Sequence, residues 1–374
     1  MTWPTVALGE VAAVERRGIQ PADIARDSWY VGLEHIEPGG RTIRRQQAVE
    51  AELKSTKFQF GPEHILYGKL RPYLAKIAAP NFSGVCSTDI LPVRPGARIN
   101  RRFLTHYLRQ GEVVALANSR ATGANLPRLS SSELSKLPVP LPHLDEQRRI
   151  AAILDQADSI RTKQGRLLHV LESLPMAVYR AWFGSAIDTR KLGDVVATSS
   201  GGTPSRSVSS YYGGSIPWVK SGELHQGVIW DTEEKITPEG LHNSAACILP
   251  RGTVVMAMYG ATAGVVARLG IPAATNQAIC TFSPQKEIKE EFLMWTLKAK
   301  STEILSRRAG GAQPNLSQNK IKSLDIPVPE LHIQEAFGEM VAALLEQASL
   351  ARAAVRKGDD LFASLQTRAF KGEL

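Results

Sequence analysis

The chain has 374 residues, enough for two domains, because a single hydrophobic core stops growing near about 250 residues. Hydrophobic residues make up 43% and charged residues 22%, with 30 Gly and 22 Pro; this composition excludes a disordered, collagen-like or small disulfide-scaffold protein, and no apolar run approaches the roughly 18 residues of a membrane span. The 45 Lys+Arg against 36 Asp+Glu leave a formal charge of +9, which suits a polyanionic partner without proving one.

In chain order, Met1-Thr2-Trp3-Pro4 lacks the basic and apolar stretches of a secretory leader, so the chain is expected to stay in the cytoplasm. Up to residue 143 the texture is mixed. Ile65-Leu66-Tyr67 and Val85 to Val93 are β-branched or aromatic and bounded by Gly, Pro and Asn, which reads as strands joined by turns. Near Arg101 to Ala117, Phe103, Tyr107 and Leu108 recur at helical spacing. This is an α+β domain of ordinary size.

After Leu137-Pro138-Val139-Pro140 the pattern becomes purely helical. From Glu146 the positions Ile150, Ile153, Ala157, Ile160, Gln164, Leu167, Leu171, Leu174, Val178 and Ala181 alternate steps of three and four, a coiled-coil seam. Pro175 falls inside it and is expected to bend or break the helix.

The remainder repeats this plan. Leu8-Gly9-Glu10-Val11 returns as Leu192-Gly193-Asp194-Val195, and Tyr67-Gly68 as Tyr259-Gly260. Further on, Leu129-Ser130 returns as Leu316-Ser317, Pro138-Val139-Pro140 as Pro327-Val328-Pro329, and Gln147 as Gln334, all at offsets between 184 and 192. Thr253 to Tyr259 reads as a strand and Glu290 to Ser306 as helix; a second seam runs from Phe337 through Val341, Leu344, Ala348, Ala351, Val355, Gly358, Phe362 and Leu365 to Ala369. The chain is therefore read as a tandem duplication: α+β domain 1–143, helix 144–185, α+β domain 186–330, helix 331–374. Two seams of matching length in one chain favour an antiparallel coiled coil of helices about 57 Å long; the alternative is that each packs on its own domain. The first half holds 25 basic and 17 acidic residues, the second 20 and 19, so the positive charge sits almost wholly in the first.

The ordered motifs carry a resemblance. The second unit has Gly201-Gly202-Thr203-Pro204-Ser205, Ile216-Pro217-Trp218-Val219-Lys220-Ser221-Gly222-Glu223-Leu224, Met258-Tyr259-Gly260-Ala261-Thr262-Ala263-Gly264 and Thr275-Asn276-Gln277-Ala278-Ile279, then Asn315-Leu316-Ser317. The first has Ile65-Leu66-Tyr67-Gly68-Lys69-Leu70-Arg71-Pro72-Tyr73-Leu74, Cys86-Ser87-Thr88-Asp89 and, after the proline run, Glu146-Gln147. Over essentially its whole length the chain resembles the DNA specificity subunits of type I restriction-modification systems. The resemblance implies two target-recognition domains, each reading half of a bipartite, asymmetric double-stranded DNA target, with the helices as a ruler over the unread spacer. Half-sites on one DNA face lie about 34–36 Å apart, within reach of such a rod. It also implies two methyltransferase subunits docked on the helices, restriction subunits joined to them, and S-adenosylmethionine, ATP and Mg on those partners, with no cofactor on this chain, in a prokaryotic cytoplasm.

Under that resemblance the candidate DNA contacts are Arg41, Arg44, Arg45, Lys69, Arg71 and Tyr73 in the first domain and Lys220, Tyr259, Thr262, Asn276 and Gln277 in the second. Arg and Lys suit guanine and phosphate, Asn and Gln suit adenine. The alternatives are that Tyr73 is core and that Asn276 and Gln277 bind turn backbone. Arg101, Arg102, Arg307 and Arg308 are candidates for positioning phosphate. Leu154, Leu168 and Leu345 fall outside the seam; they either fold onto the domains or receive the methyltransferase subunits.

The residues carry no signature of catalysis. GxxxxGK[ST] is absent, as are Asn-Pro-Pro-Phe and Asp-Pro-Pro-Tyr. Glu233-Glu234-Lys235 and Glu287-Ile288-Lys289 have the E-x-K form of some nucleases but arise easily by chance. The eight histidines and three cysteines lack metal-ligand spacing. A non-catalytic subunit is expected; the rivals are a scaffold that has lost DNA binding and an enzyme of unfamiliar site.

Overall fold

The computed structural model describes residues 3–40, 43–185, 188–284, 286–306 and 316–374. The chain divides into two compact units, residues 1–166 with 353–374 and residues 167–352. Each holds one α+β domain together with a stretch of both long helices.

In the first unit a four-stranded antiparallel sheet runs Ala12–Val14, Ile90–Pro95, Ile65–Gly68, Ile77–Ala78. A five-stranded sheet runs Gly18–Ile19, Lys57–Phe60, Gly84–Cys86, Trp29–Val31, Gln46–Gln47, with Tyr30 parallel to Val85 at its one parallel pairing. The expected strand from Val85 to Val93 is thus two strands in two sheets. Polar Ser87-Thr88-Asp89 turns the chain between them, with the Ile90 amide donating to the Ser87 carbonyl at 2.9 Å. Thr5–Ala7 pairs with Pro138–Pro140, an isolated two-stranded ladder in which prolines are tolerated. Asn100 caps the Arg101–Leu108 helix by accepting from the Arg102 and Phe103 amides, and Ser130 caps Ser131–Ser135.

The second unit follows the same plan. Thr189–Lys191 pairs with Asp325–Pro327. A five-stranded sheet runs Val196–Ser200, Ile279–Pro284, Val254–Ala257, Val266–Leu269, Val228–Ile229; a three-stranded sheet runs Glu234–Ile236, Tyr212–Val219, Ala274–Thr275. Ser317 caps Gln318–Lys322 as Ser130 caps its helix.

The duplication reaches individual hydrogen bonds. Buried Gln147 accepts from the Asn100 amide at 2.7 Å and donates to the Arg98 and Pro142 carbonyls. Buried Gln334 accepts from the Lys289 amide at 2.9 Å and donates to the Glu287 and Pro329 carbonyls. Each glutamine ties a long helix to the loop entering its domain's main helix, because a carboxamide alone among side chains offers an acceptor and two donors to three backbone groups.

The long helices are Leu144–Phe183, 40 residues, and Leu331–Lys371, 41 residues. Within the first unit Arg161 reaches Asp359 at 2.5 Å and Arg149 reaches the Leu374 carbonyl at 2.9 Å. Within the second, Arg352 reaches Glu172 at 2.5 Å and the Phe183 and Phe337 rings lie 5.5 Å apart. Rising numbers on one helix meet falling numbers on the other, so the stretches in each unit are antiparallel. The first helix runs unbroken through Pro175, against the expectation of a break; flanking Tyr179 and Met176 are anchored in the second core, which holds the turn despite the missing amide.

The seam also needs correction. Leu154, read as outside it, is fully buried with Ile150 and Ala151 in the first domain's core, whereas Ile160 and Leu167, read as seam, are 51% and 55% exposed. The helix turns its face toward its own domain, a broader surface than a two-stranded seam offers. Leu168 is half-buried and Leu345 is exposed.

Candidate nucleic-acid interface

In the first unit Pro72–Leu74 forms a single 3-10 turn after the Ile65–Gly68 strand, and the chain enters it through Arg71 in the left-handed region at φ 51°, ψ 64°. Lys69 is held by Asp89 at 3.7 Å. Tyr73 is 52% exposed, so it is not core. The Gly39 amide donates to the Leu74 carbonyl at 3.0 Å, which sets the earlier glycine turn against this one. Arg41 falls outside the described residues. Arg44 pairs with Glu37 at 3.6 Å, and the Arg45 guanidinium stacks between Trp29 and Phe82 at 4.1 and 4.7 Å. Arg45 is thereby engaged by aromatic faces.

In the second unit the candidates gather at neighbouring strand ends. The Asn276 amide donates to the Val219 carbonyl, and the Met258 amide to the Ala278 carbonyl. Tyr259 is exposed; the Thr262 hydroxyl donates to the Tyr259 carbonyl at 3.3 Å. Asn276 accepts from the Ala278 amide at 3.2 Å and Gln277 accepts from the Thr203 hydroxyl, both turn-building contacts. Lys220 is bound by Glu233 at 2.8 Å and Glu234 at 3.1 Å, and these hydrogen bonds raise its pKa. As a doubly paired cation it has little charge left for phosphate. Glu234 also accepts from Arg206 at 2.7 Å, whose guanidinium stacks on Tyr212 at 4.4 Å, and Arg206 pulls the Glu234 carboxyl down.

The phosphate candidates separate sharply. Arg101 is a structural residue: its Nη1 donates to the Pro62, His64 and Pro80 carbonyls at 2.5, 3.1 and 2.9 Å, and burial lowers its pKa. Arg307 and Arg308 lie outside the described residues. Arg102 is exposed and reaches Asp155 at 3.0 Å. Asp155 also meets His106 Nε2 at 2.8 Å. Burial pushes the Asp155 carboxyl up, but the His106 hydrogen bond and charge together with Arg102 outweigh it and hold the group below its ordinary value. A depressed carboxylate stabilises the fold above its unfolded pKa and loses that contribution as pH falls through the folded one, which here lies below the ordinary carboxylate value. Asp155→Asn is therefore expected to lower stability at pH 7, with the gap to the unaltered protein closing toward pH 3. Urea midpoints at the two pH values check this; a gap that widens on acidification contradicts it.

Neither E-x-K tripeptide forms a pair of open carboxylates: Glu233 and Glu234 hold Lys220, and Glu287 holds Arg190 at 2.5 Å. Among the described residues no three His, Cys, Asp or Glu side chains stand together as metal ligands, and no helix is long and apolar enough to cross a membrane. Reading by residue type missed Asp89, which also lies 3.8 Å from Arg128. It missed the Arg128 loop and the Arg206 stack as well. Asp89 was visible within Cys86-Ser87-Thr88-Asp89, but its partners lie 20 and 39 residues away and leave no periodic trace.

A family model described as "Type I restriction modification DNA specificity domain" matches residues 1–173 and 185–353. Curated relatives include the type I restriction enzyme EcoDI specificity subunit of Escherichia coli, 28% identical over 47% of this chain and 40% of that one, and the EcoR124I/EcoR124II specificity subunit of the same species, 23% identical over 57% and 56%. The chain thus spans about half the length of these relatives in the matched regions. Among solved structures, one described as "Structural basis underlying complex assembly and conformational transition of the type I R-M system" superposes with a TM-score of 0.61 at 19% identity, covering 100% of this chain and 98% of that one. The type I restriction-modification S subunit from M. genitalium gives 0.55 at 16%, covering 99% and 96%. At these identities the structural likeness bears on the fold.

Proposed function

The chain belongs to the type I restriction-modification DNA specificity family, and from that premise we propose that it is the non-catalytic subunit that reads a bipartite, asymmetric sequence in double-stranded DNA and positions methyltransferase and restriction subunits on it. The observation that carries the reading is the duplication itself. Gln147 and Gln334 make equivalent bonds in the two copies, while the turns that follow the corresponding strands differ: Lys69-Leu70-Arg71-Pro72-Tyr73 in one, Tyr259-Gly260-Ala261-Thr262 in the other. One scaffold with two unlike exposed edges suits two unlike half-sites. Both long helices contribute to both units, which makes their length the natural measure of the unread spacer.

Adenine methylation with S-adenosylmethionine and ATP- and Mg-dependent cleavage belong, on this reading, to the partner subunits in a prokaryotic cytoplasm. The exposed apolar side chains of the helices support docking of two methyltransferase subunits. In the first unit Ile160 and Leu361 edge an apolar groove of about 490 Å³ between the helices, and in the second Leu345, 44% exposed, borders a mostly charged groove with Glu335, Glu339 and Lys289. Leu168 is half-buried and lines neither groove, and Leu154 drops out because it is core.

Selection of the full chain, co-expressed with its methyltransferase subunits, on a library of randomised duplexes tests the reading. One two-part sequence is expected, with affinity falling steeply as salt rises because phosphate contacts release counterions. Enrichment of no sequence at any salt sinks it.

A further inference from the structure

Two segments of the first unit that are far apart in sequence meet at one exposed edge. Leu70 and Arg128 form an antiparallel bridge, the Arg71 amide donates to the Pro127 carbonyl at 2.8 Å, and the Leu129 amide donates to the Lys69 carbonyl at 2.9 Å. Beyond this clamp the chain closes into a small ribbon. Thr122 and Arg128 exchange both backbone hydrogen bonds, at 3.0 and 2.8 Å, and Gly123 turns at φ +106°, where a side chain would be strained. Residues 122–126 at its tip are all exposed.

Charge at the root of the ribbon is already spoken for. Asp89 lies between Lys69 and Arg128 and offsets both cations. Arg71 differs: among the described residues its guanidinium has no hydrogen bond or ion pair, and its side chain is exposed on a left-handed backbone. Residues other than glycine seldom adopt that conformation, and where they do it commonly serves a ligand. The Asn125 carboxamide is likewise without a partner among the described residues, beside Leu126, which is 44% exposed.

We infer that Arg71 and Asn125 are the base-reading side chains of the first recognition domain, with the 122–128 ribbon entering the major groove. The exposed loop tip can approach base edges in the roughly 12 Å major groove; the forked N–H groups of Arg71 match guanine O6 and N7, and the Asn125 carboxamide, donor and acceptor together, matches adenine N6 and N7. Leu126 supplies an apolar contact for a thymine methyl group. Lys69 and Arg128, held by Asp89, position the two readers. The inference rests on the reading that this domain recognises DNA.

The test compares the unaltered full chain with Arg71→Ala, Arg71→Lys, Arg71→Gly and Asn125→Ala, each co-expressed with the methyltransferase subunits, in selections from randomised duplexes. Arg71→Ala and Arg71→Gly are expected to lose preference for one guanine by about 5- to 150-fold, the range of a bidentate contact, with other positions unchanged, while Arg71→Lys, whose ammonium also addresses O6 and N7, keeps part of it. Arg71→Gly relieves the left-handed backbone, so misfolding does not account for a loss it shares with Arg71→Ala, and a guanine preference kept in part by Arg71→Lys ties that loss to the cationic donor. Asn125→Ala is expected to lose one adenine in the same half-site. If the variants select the unaltered sequence with uniformly weaker binding, Arg71 and Asn125 are not readers and the inference fails while the proposed function stands. If the unaltered chain itself selects no sequence, both fall.

Discussion

Phe337→Ala is expected to destabilise the second unit by about 3–5 kcal/mol, the range for emptying a large aromatic site in a closed core. Phe337 is fully buried on the second long helix. Its ring meets Phe183 at 5.5 Å and Tyr179 at 5.8 Å, on the last turns of the first long helix, and Phe292 at 6.2 Å, on the Glu290–Ala299 helix of the domain. Three helices therefore lose their common contact at once. Edge-to-face pairs add about 0.5–1.5 kcal/mol each beyond buried area, which places the loss toward the upper end. For a unit of this size the melting temperature is expected to fall by roughly 6–20 °C. Urea unfolding followed by tryptophan fluorescence measures it, since Trp182 lies 6.3 Å from the same ring. A loss under about 1 kcal/mol, the scale of an exposed substitution, contradicts the assigned packing.

Gln147→Ala and Gln334→Ala are expected to cost about 3 kcal/mol each, and nearly equally. Each leaves one backbone amide and two carbonyls without their partner, and a buried group so orphaned costs about 1–3 kcal/mol; water entering the space left by the side chain recovers part of the sum. The equality is the sharper claim, because it follows from identical bonding in two places 187 residues apart. Gln147→Glu refines it. The amide donor facing the Arg98 and Pro142 carbonyls becomes a carboxylate oxygen, which repels both at neutral pH. The folded pKa of that new group is therefore raised, so its destabilisation is greatest at pH 7 and eases as acid protonates it. Equilibrium unfolding of the three variants at pH 7 and pH 4 tests both points. A cost at position 147 more than twice that at 334 breaks the equivalence.

Much of the architecture is legible in the order of the residues alone. Paired recurrences such as Leu129-Ser130 with Leu316-Ser317 mark the duplication, and both serines cap helices. The steps of three and four from Ile150 and from Phe337 mark helices that extend for 40 and 41 residues. These signals are local: a cap, a turn or a helical period is written within a few residues of itself. The candidate interface is legible only as composition. Arg71 and Lys69 stand two residues apart in the same turn, yet among the described residues Arg71 has no ion pair while Lys69 is held by Asp89. Lys220 has the same chemistry as Lys69, and two carboxylates occupy it.

The sequence by itself determined that one α+β-plus-helix unit occurs twice and that the first copy carries the excess of positive charge. Only the tertiary structure decided which side chains remain available. It buried Leu154 and exposed Ile160 on one helix, pinned Arg101 to three carbonyls, and set the 122–128 ribbon beside Arg71. The physical reason is one of range. Backbone propensity and periodicity act between neighbours, whereas burial, ion pairing and stacking depend on residues brought near by the fold, and their separation in sequence carries no record of the contact.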